Sequence, residues 1–254
     1  MNRTPILENV SPGAPPAGAN TLQRPDGPMR DRVDHVLALL RATYGTHQPR
    51  RRLLPTDSLI ATILSQHTAD RNSNAAFLRL RKRYRCWQEV AEAETWQLAE
   101  TIRPAGLANI KAERIQAALR HIKAQYDTYD LAFLEHLPLV EGKNALRALP
   151  GVGPKTAACV LLFACGQPAL PVDTHVHRVT RRLGLIAPGD SADRAHDVLE
   201  ELISPADVYD FHVDLIAHGR SICRAQHPRC GECPLQNACD YYRSTVLVAQ
   251  GCSA

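Results

Sequence analysis

Apolar residues recur along this chain at helical spacing from Val33 onward. Val33, Val36, Leu37 and Leu40 form one stripe, and Leu59, Ile60, Ile63 and Leu64 form the next. The same 3.6-residue period returns over residues 77–80, 115–122, 157–163, 198–203 and 208–216. No segment sustains period-two alternation, and aromatic residues make up only 5% of the chain, so the pattern predicts an all-α fold with short polar or proline-marked connections. Ser204-Pro205-Ala206-Asp207 offers an N-cap, a proline for the first helical position and an acid for the first turn, and Thr56 and Ser58 after Pro55 mark another helix start. No repeat at a fixed period is present, which excludes a solenoid. The first thirty residues break the pattern. They hold six of the eighteen prolines and three of the fourteen glycines with few large apolar groups, which predicts a flexible lead over 1–30.

Composition adds bounds. At 254 residues, 44% hydrophobic and 22% charged, the chain suits one large domain or two smaller ones. The longest apolar run, Ala157 to Cys165, is about half of the ~18 to 20 residues a membrane-spanning helix needs, so no membrane partner is expected. Met1 to Pro5 lacks the apolar core of a secretory signal, which points to a reducing cytoplasm where disulfides are uncommon. The eight cysteines then need another explanation. A formal charge of +4 permits a polyanionic partner without demanding one.

The most informative stretch is Leu149 to Ala158, LPGVGPKTAA. A helix ending near Ala148 is followed by Gly151 and Gly153 around one apolar residue, then by Pro154 at the start of a second helix: a helix-hairpin-helix. Glycines let a ligand approach the backbone closely, and the free N–H groups opening the second helix form an anion site that fits a DNA phosphate. A bare Gly-x-Gly is also a plain turn between packed helices; the whole string is more specific. Lys155 stands in the first turn of that second helix, where the dipole disfavours a cation, so a functional reason is worth seeking. Such an amine can attack a carbon and form a Schiff base, or simply contact a phosphate. Asp173 follows in Pro171 to Val179. A turn over residues 166–171 brings it back toward Lys155, either as a helix N-cap or as a carboxylate that takes a proton or stabilises an oxocarbenium-like sugar. His175 and His177 read as packing residues.

Four cysteines, Cys223, Cys230, Cys233 and Cys239, are spaced C-x6-C-x2-C-x5-C. Four thiolates within seventeen residues close around one metal centre, either zinc or iron–sulfur. Cys86, Cys159, Cys165 and Cys252 stand outside this set, and Cys159 and Cys165 fall within an apolar helix as buried thiols. The basic run Arg79, Arg81, Lys82, Arg83 and Arg85, like Arg50, Arg51 and Arg52, reads as a solvated face, with a DNA contact as the alternative.

Taken together, LPGVGPKTAA with Lys155, VDTHVHRV with Asp173, and HGRSIC leading into the four-cysteine loop resemble the endonuclease III family of DNA repair glycosylases, over about Val33 to Tyr242. The resemblance implies a [4Fe–4S] cluster on Cys223, Cys230, Cys233 and Cys239 that is structural rather than reactive. It also implies two helical domains: a six-helix barrel over 57–166, with the hairpin at 141–166, and an iron–sulfur domain formed by 31–56 with 167–243. A tail covers 244–254, and double-stranded DNA lies between the domains. By match to the family, Lys155 is the nucleophile that displaces a damaged pyrimidine from the sugar C1′ and Asp173 the carboxylate that assists, after which the Schiff base permits β-elimination at an abasic site. The base must first be flipped out. Residues 64–70 and 106–112 resemble the family's two wedge-bearing loops, with Leu107 as the plug and Gln66 and His67 on the other loop; many relatives carry glutamine where this chain has His67. Pro154 replaces a residue that is often basic in relatives, and the segment from Asp127 to Leu139 is longer than in compact ones. The expectation is a cytoplasmic, nucleoid-associated, monomeric glycosylase and lyase acting on oxidised pyrimidines. A monofunctional mismatch glycosylase using Asp173 with water is the alternative within the fold, against which Lys155 argues. A non-catalytic DNA-binding module with a structural metal is the alternative from another class.

Overall fold

The computed structural model describes residues 27–47 and 53–248, and among these eleven α-helices and no strand are found. The all-α expectation holds. Residues 1–26 of the expected lead, Arg50, Arg51 and Arg52, and Cys252 lie outside the described residues. Helix α1 (Pro28–Tyr44) starts inside the stretch expected to be flexible, because Pro28 suits the first helical turn and Val33, Val36, Leu37 and Leu40 have a core to enter. Of the expected tail, residues up to Leu247 continue a π-helical turn, Tyr242–Leu247.

Helices α2 (Pro55–Ser65), α3 (Asp70–Arg83), α4 (Trp87–Glu92), α5 (Thr95–Thr101), α6 (Ala108–Tyr126) and α7 (Leu139–Arg147) follow in order. Pro55 opens α2, but Thr56 does not cap it: its hydroxyl donates to the Tyr129 carbonyl instead (2.8 Å). The basic run is an exposed flank of α3, with Arg81 stacked over Trp87 at 4.8 Å. The long segment after α6 is occupied by a 3₁₀ turn, Ala132–His136, whose end is tied down by Gln167 donating to the Leu134 and Leu137 carbonyls.

Beyond α7 come α8 (Pro154–Val160), α9 (Thr174–Arg182), α10 (Ala192–Leu202) and α11 (Val208–Ser221). Ser204 to Asp207 does not begin α11 as expected; it is a turn closed by the Asp207 N–H on the Ser204 carbonyl (2.8 Å). Proline pre-sets the second position of such a turn as readily as the first position of a helix.

Burial separates into two apolar clusters. One is built from α2 to α8, around Leu59, Ile63, Leu80, Leu98, Ile115 and Leu119. The other joins α1 to α9, α10, α11 and the cysteine loop, around Val36, Leu40, Val176, Leu199, Phe211 and Leu215. Helix α8 bridges them. It runs on into a π-helical turn, Leu161–Cys165, from which Leu161 and Ala164 enter the first cluster and Leu162 the second, before Gly166 ends it in left-handed conformation (φ 67°).

Candidate active site and DNA interface

The turn from Leu149 to Gly153 joins α7 to α8. Gly151 adopts φ +75°, which an L side chain rarely takes, and a Cβ there would also stand 3.3 Å from the Arg114 side chain. Gly153 differs. Its backbone is extended (φ −92°) and a Cβ would meet nothing within 4 Å, so only an approaching ligand would notice one. Pro154 then fills the first helical position, and Lys155 follows it in the opening turn, half-buried.

Asp173 is the N-cap of α9: its Oδ1 accepts from the His175 and Val176 N–H groups, both at 2.8 Å. The cap leaves Oδ2 unused. Two neighbours show that Lys155 and Asp173 share one environment. The Cys159 thiol, one turn beyond Lys155, is raised chiefly by burial; the Lys155 amine, within hydrogen-bonding reach, pulls it back, and the Asp173 carboxylate pushes it up. His212, on α11, is held down to about 4 first by burial, with Asp173 opposing and Lys155 adding to the fall. Its Nδ1 donates to the Pro171 carbonyl (2.9 Å), which fixes the segment leading to Asp173. Residues eighteen apart in sequence are thus brought to one place by the turn at Gly166.

Helix α9 is held from behind. A Cβ on Gly219 would stand 3.0 Å from His175, so glycine permits the close approach of α11, and Arg178 donates to the Gly219 and Cys223 carbonyls (2.9 and 3.0 Å). His175 and His177 are the packing residues expected: His175 Nδ1 contacts Arg178 (3.1 Å), and His177 Nε2 donates to the Asp190 carbonyl (2.8 Å).

Two loops flank the hairpin. Gln66 ends α2, with its amide donating to Thr156 Oγ1 (3.3 Å) and accepting from Arg114 (3.2 Å). His67 beside it is exposed, with φ 52°. On the second loop Gly106 (φ 64°) and Leu107 (φ 47°) are both left-handed, which turns Leu107 outward, 57% exposed. A leucine held there is strained, and strain of this kind gathers at functional sites.

The four cysteines line one cavity behind α9 and α11, with Val179, Leu183 and Tyr241 among its walls. Donors face the sulfurs: the Leu235 N–H reaches Cys233 (3.4 Å) and the Arg182 guanidinium reaches Cys223 (3.2 Å). His218 spans the Tyr44 hydroxyl (2.9 Å) and the Cys233 sulfur (3.6 Å). Burial pushes the Cys233 thiol up to about 11, and the neighbouring cysteines add to it, as for sulfurs gathered in one place. Cys159 and Cys165 are buried in α8 and its π turn, as expected.

Sequence reasoning overlooked Lys111, Arg114, Thr156 and His212. Lys111 carried a legible signal, since with Ile115, Leu119 and Ile122 it falls on the apolar stripe of α6 where a charge does not belong.

Comparison with known proteins agrees. Residues 60–205 match the model for the HhH-GPD superfamily base excision DNA repair protein. The chain is 38% identical to endonuclease III of Thermotoga maritima over 190 residues, covering 74% of this chain and 84% of that protein. It is 33% identical to endonuclease III of Synechocystis, covering 87% and 97%. Among solved structures, a non-covalent endonuclease III–DNA complex superposes with a TM-score of 0.74 at 30% identity, covering 86% of this chain and 98% of that one. A trapped endonuclease III–DNA covalent intermediate superposes equally well, with the same TM-score and identity over 85% and 98%. Membership in the endonuclease III family follows, and with it the enzyme class: the chain is a base-excision DNA glycosylase and abasic-site lyase acting on damaged bases in DNA.

Proposed function

We propose that the chain removes oxidised pyrimidines from double-stranded DNA and then nicks the strand through a Schiff base on Lys155. The observation that carries this is that Lys155, in the opening turn of α8, and Asp173, the N-cap of α9, both act on the Cys159 thiol and on His212. In the neutral form the Lys155 amine attacks C1′ of the flipped nucleotide; the new C–N bond replaces the glycosidic bond, and the base departs with a proton. Asp173, with Oδ2 not committed to the helix cap, stabilises positive charge building on the sugar and moves the amine's proton. The C1′–O4′ bond then opens with a proton to O4′, leaving an iminium between Lys155 and C1′; this iminium acidifies the 2′ hydrogens, and loss of one expels the 3′ phosphate. The endonuclease III covalent intermediate among the solved relatives supports this order.

DNA partners are assigned as follows. The first-turn N–H groups of α8 with Gly151 and Gly153 take a phosphate, and Leu107 fills the space left by the flipped nucleotide. Gln66 and His67 face the opposite strand. The two apolar clusters support a division into 57–166 and 31–56 with 167–243, with duplex DNA in the groove between them. In this reading the protein acts as a monomer in the cytoplasm. Among the described residues, no helix is long and apolar enough to cross a membrane.

Cys223, Cys230, Cys233 and Cys239 fit a [4Fe–4S] cluster. They line one cavity with N–H donors aimed at sulfur, as thiolate ligands require. When bound, the cluster stiffens the loop against which α9 rests.

The test is borohydride trapping on duplex DNA with one thymine glycol, comparing wild type, Lys155→Ala and Asp173→Asn. A nick and a trapped adduct that vanish in Lys155→Ala support the reading. Base loss without an adduct moves it to a monofunctional enzyme. No base loss on any oxidised pyrimidine overturns it.

A further inference from the structure

Lys111 is the bulkiest of the fully buried side chains, 1% exposed, and the sequence pattern asks for an apolar residue in its place. All three of its ammonium protons are used. Nζ donates to the Leu64 carbonyl (2.7 Å), to Thr68 Oγ1 (2.7 Å) and to the Ala105 carbonyl (2.8 Å). The Thr68 hydroxyl in turn donates to the same Ala105 carbonyl. These acceptors lie on two separate stretches, the end of α2 with the turn after it and the 3₁₀ turn Arg103–Ala105. Leu64 and Thr68 bracket Gln66 and His67, and Ala105 immediately precedes Gly106 and Leu107.

A buried ammonium satisfied only by neutral acceptors is an expensive way to hold two loops together. Burial pulls the Lys111 amine down from its ordinary value, and Arg114 repels it further. An apolar side chain would serve packing alone at less cost. What the ammonium adds is direction: one atom fixes backbone on both sides of the gap between the loops. The turns it joins carry the left-handed residues His67, Gly106 and Leu107, two of which are not glycine.

We propose that Lys111 is a positioning residue for base extrusion, setting the separation and aim of His67 and Leu107 so that the two enter the duplex as one rigid unit. The proposal rests on the reading of these loops as the DNA-probing elements. Lys111 touches no DNA in this scheme and takes no part in bond making.

Two substrates separate this role from the chemistry: a damaged base paired within a duplex, and an abasic site in an unpaired bulge, where little extrusion is required. Lys111→Met and Thr68→Ala are compared with wild type in kcat/KM on each, with thermal unfolding and with the fluorescence of a 2-aminopurine placed beside the lesion. The expected result is a loss of tenfold or more on the paired lesion for Lys111→Met and several-fold for Thr68→Ala. The fluorescence rise on extrusion falls in parallel, and cleavage of the bulged abasic site changes by less than about twofold. Equal losses on both substrates, or no loss on either, would overturn the proposal. If Lys111→Met does not fold, Thr68→Ala decides alone, since its side chain is only partly buried. Failure of the Lys155 reading is distinct, because wild type itself would then give no trapped adduct on either substrate.

Discussion

Leu107→Gly should separate stability from activity. In the free protein the side chain is 57% exposed and its backbone sits at φ 47°, ψ 37°, where a non-glycine residue costs about 1 to 2 kcal/mol. Glycine removes that strain but raises the entropy of the unfolded chain, by about 0.5 to 1 kcal/mol. The part of the leucine buried in the free protein, the complement of its 57% exposure, is worth about 0.6 to 1.3 kcal/mol, which with the entropy term roughly offsets the strain relieved, and the variant should melt within roughly 2 to 4 °C of wild type. On the DNA the remaining 57% of the side chain becomes buried. Full burial of a leucine is worth about 1.5 to 3 kcal/mol, so this fraction contributes about 0.9 to 1.7 kcal/mol and its loss lowers kcat/KM roughly 5- to 20-fold. The assay is single-turnover excision of thymine glycol from a duplex, with the same lesion in a bulge as control, where the deficit should shrink. A fall in stability of about 3 kcal/mol would show that Leu107 is a core anchor. Undiminished excision from the duplex would show that nothing is plugged.

The remaining predictions concern the hairpin, a buried histidine and the cysteine loop. Gly153→Ala should leave the melting temperature unchanged, because a Cβ there meets no protein atom, yet weaken duplex binding severalfold in a filter or anisotropy assay; Gly151→Ala, at φ +75° against Arg114, should lose about 1 to 2 kcal/mol of stability as well. His212 is buried neutral with its pKa held down to about 4, against about 6.5 when unfolded, so the unfolded chain binds the extra proton first. Its contribution is complete above about pH 6.5 and is lost as pH falls toward 4, amounting to about 2 kcal/mol by pH 5, and His212→Gln should flatten that part of the urea-unfolding profile. The purified protein should absorb near roughly 400 nm and carry iron rather than zinc; stoichiometric zinc without that band would refute the cluster assignment.

Much of the architecture was legible because helices announce themselves by period. The stripe from Val33 to Leu40, the run from Ala157 to Phe163 and the punctuation of the hairpin are local facts, and local facts survive folding. Ser204-Pro205 misled for the same reason: proline sets one dihedral angle, which a turn and a helix start share. Lys111 and His212 were missed because their meaning lies in partners 47 and 41 residues away, at Leu64 and Pro171. The strain at His67 and Leu107 was equally hidden, since sequence gives no warning of a left-handed residue that is neither glycine nor asparagine.

The arrangement also accounts for the lysine proposed as nucleophile standing at an end of a helix that suits it poorly. Helix α8 is anchored in the first apolar cluster by Ala157, Ala158 and Val160, and the π turn that continues it reaches the second through Leu162, so its opening turn stands on a firmly held element. In the proposed reading, a phosphate drawn to the N–H groups after Gly153 brings the DNA backbone to that turn, with the sugar beside Lys155. The second helix start, α9, supplies Asp173, whose Oδ1 is already spent on two N–H groups and whose carboxylate is therefore fixed in aim. Moving the lysine toward the middle of α8 would ease its electrostatics but bury it among Ala157, Ala158 and Val160, where no sugar can reach. Reach and orientation thus outweigh the roughly 0.3 to 1 kcal/mol that a cation loses at a helix N-terminus.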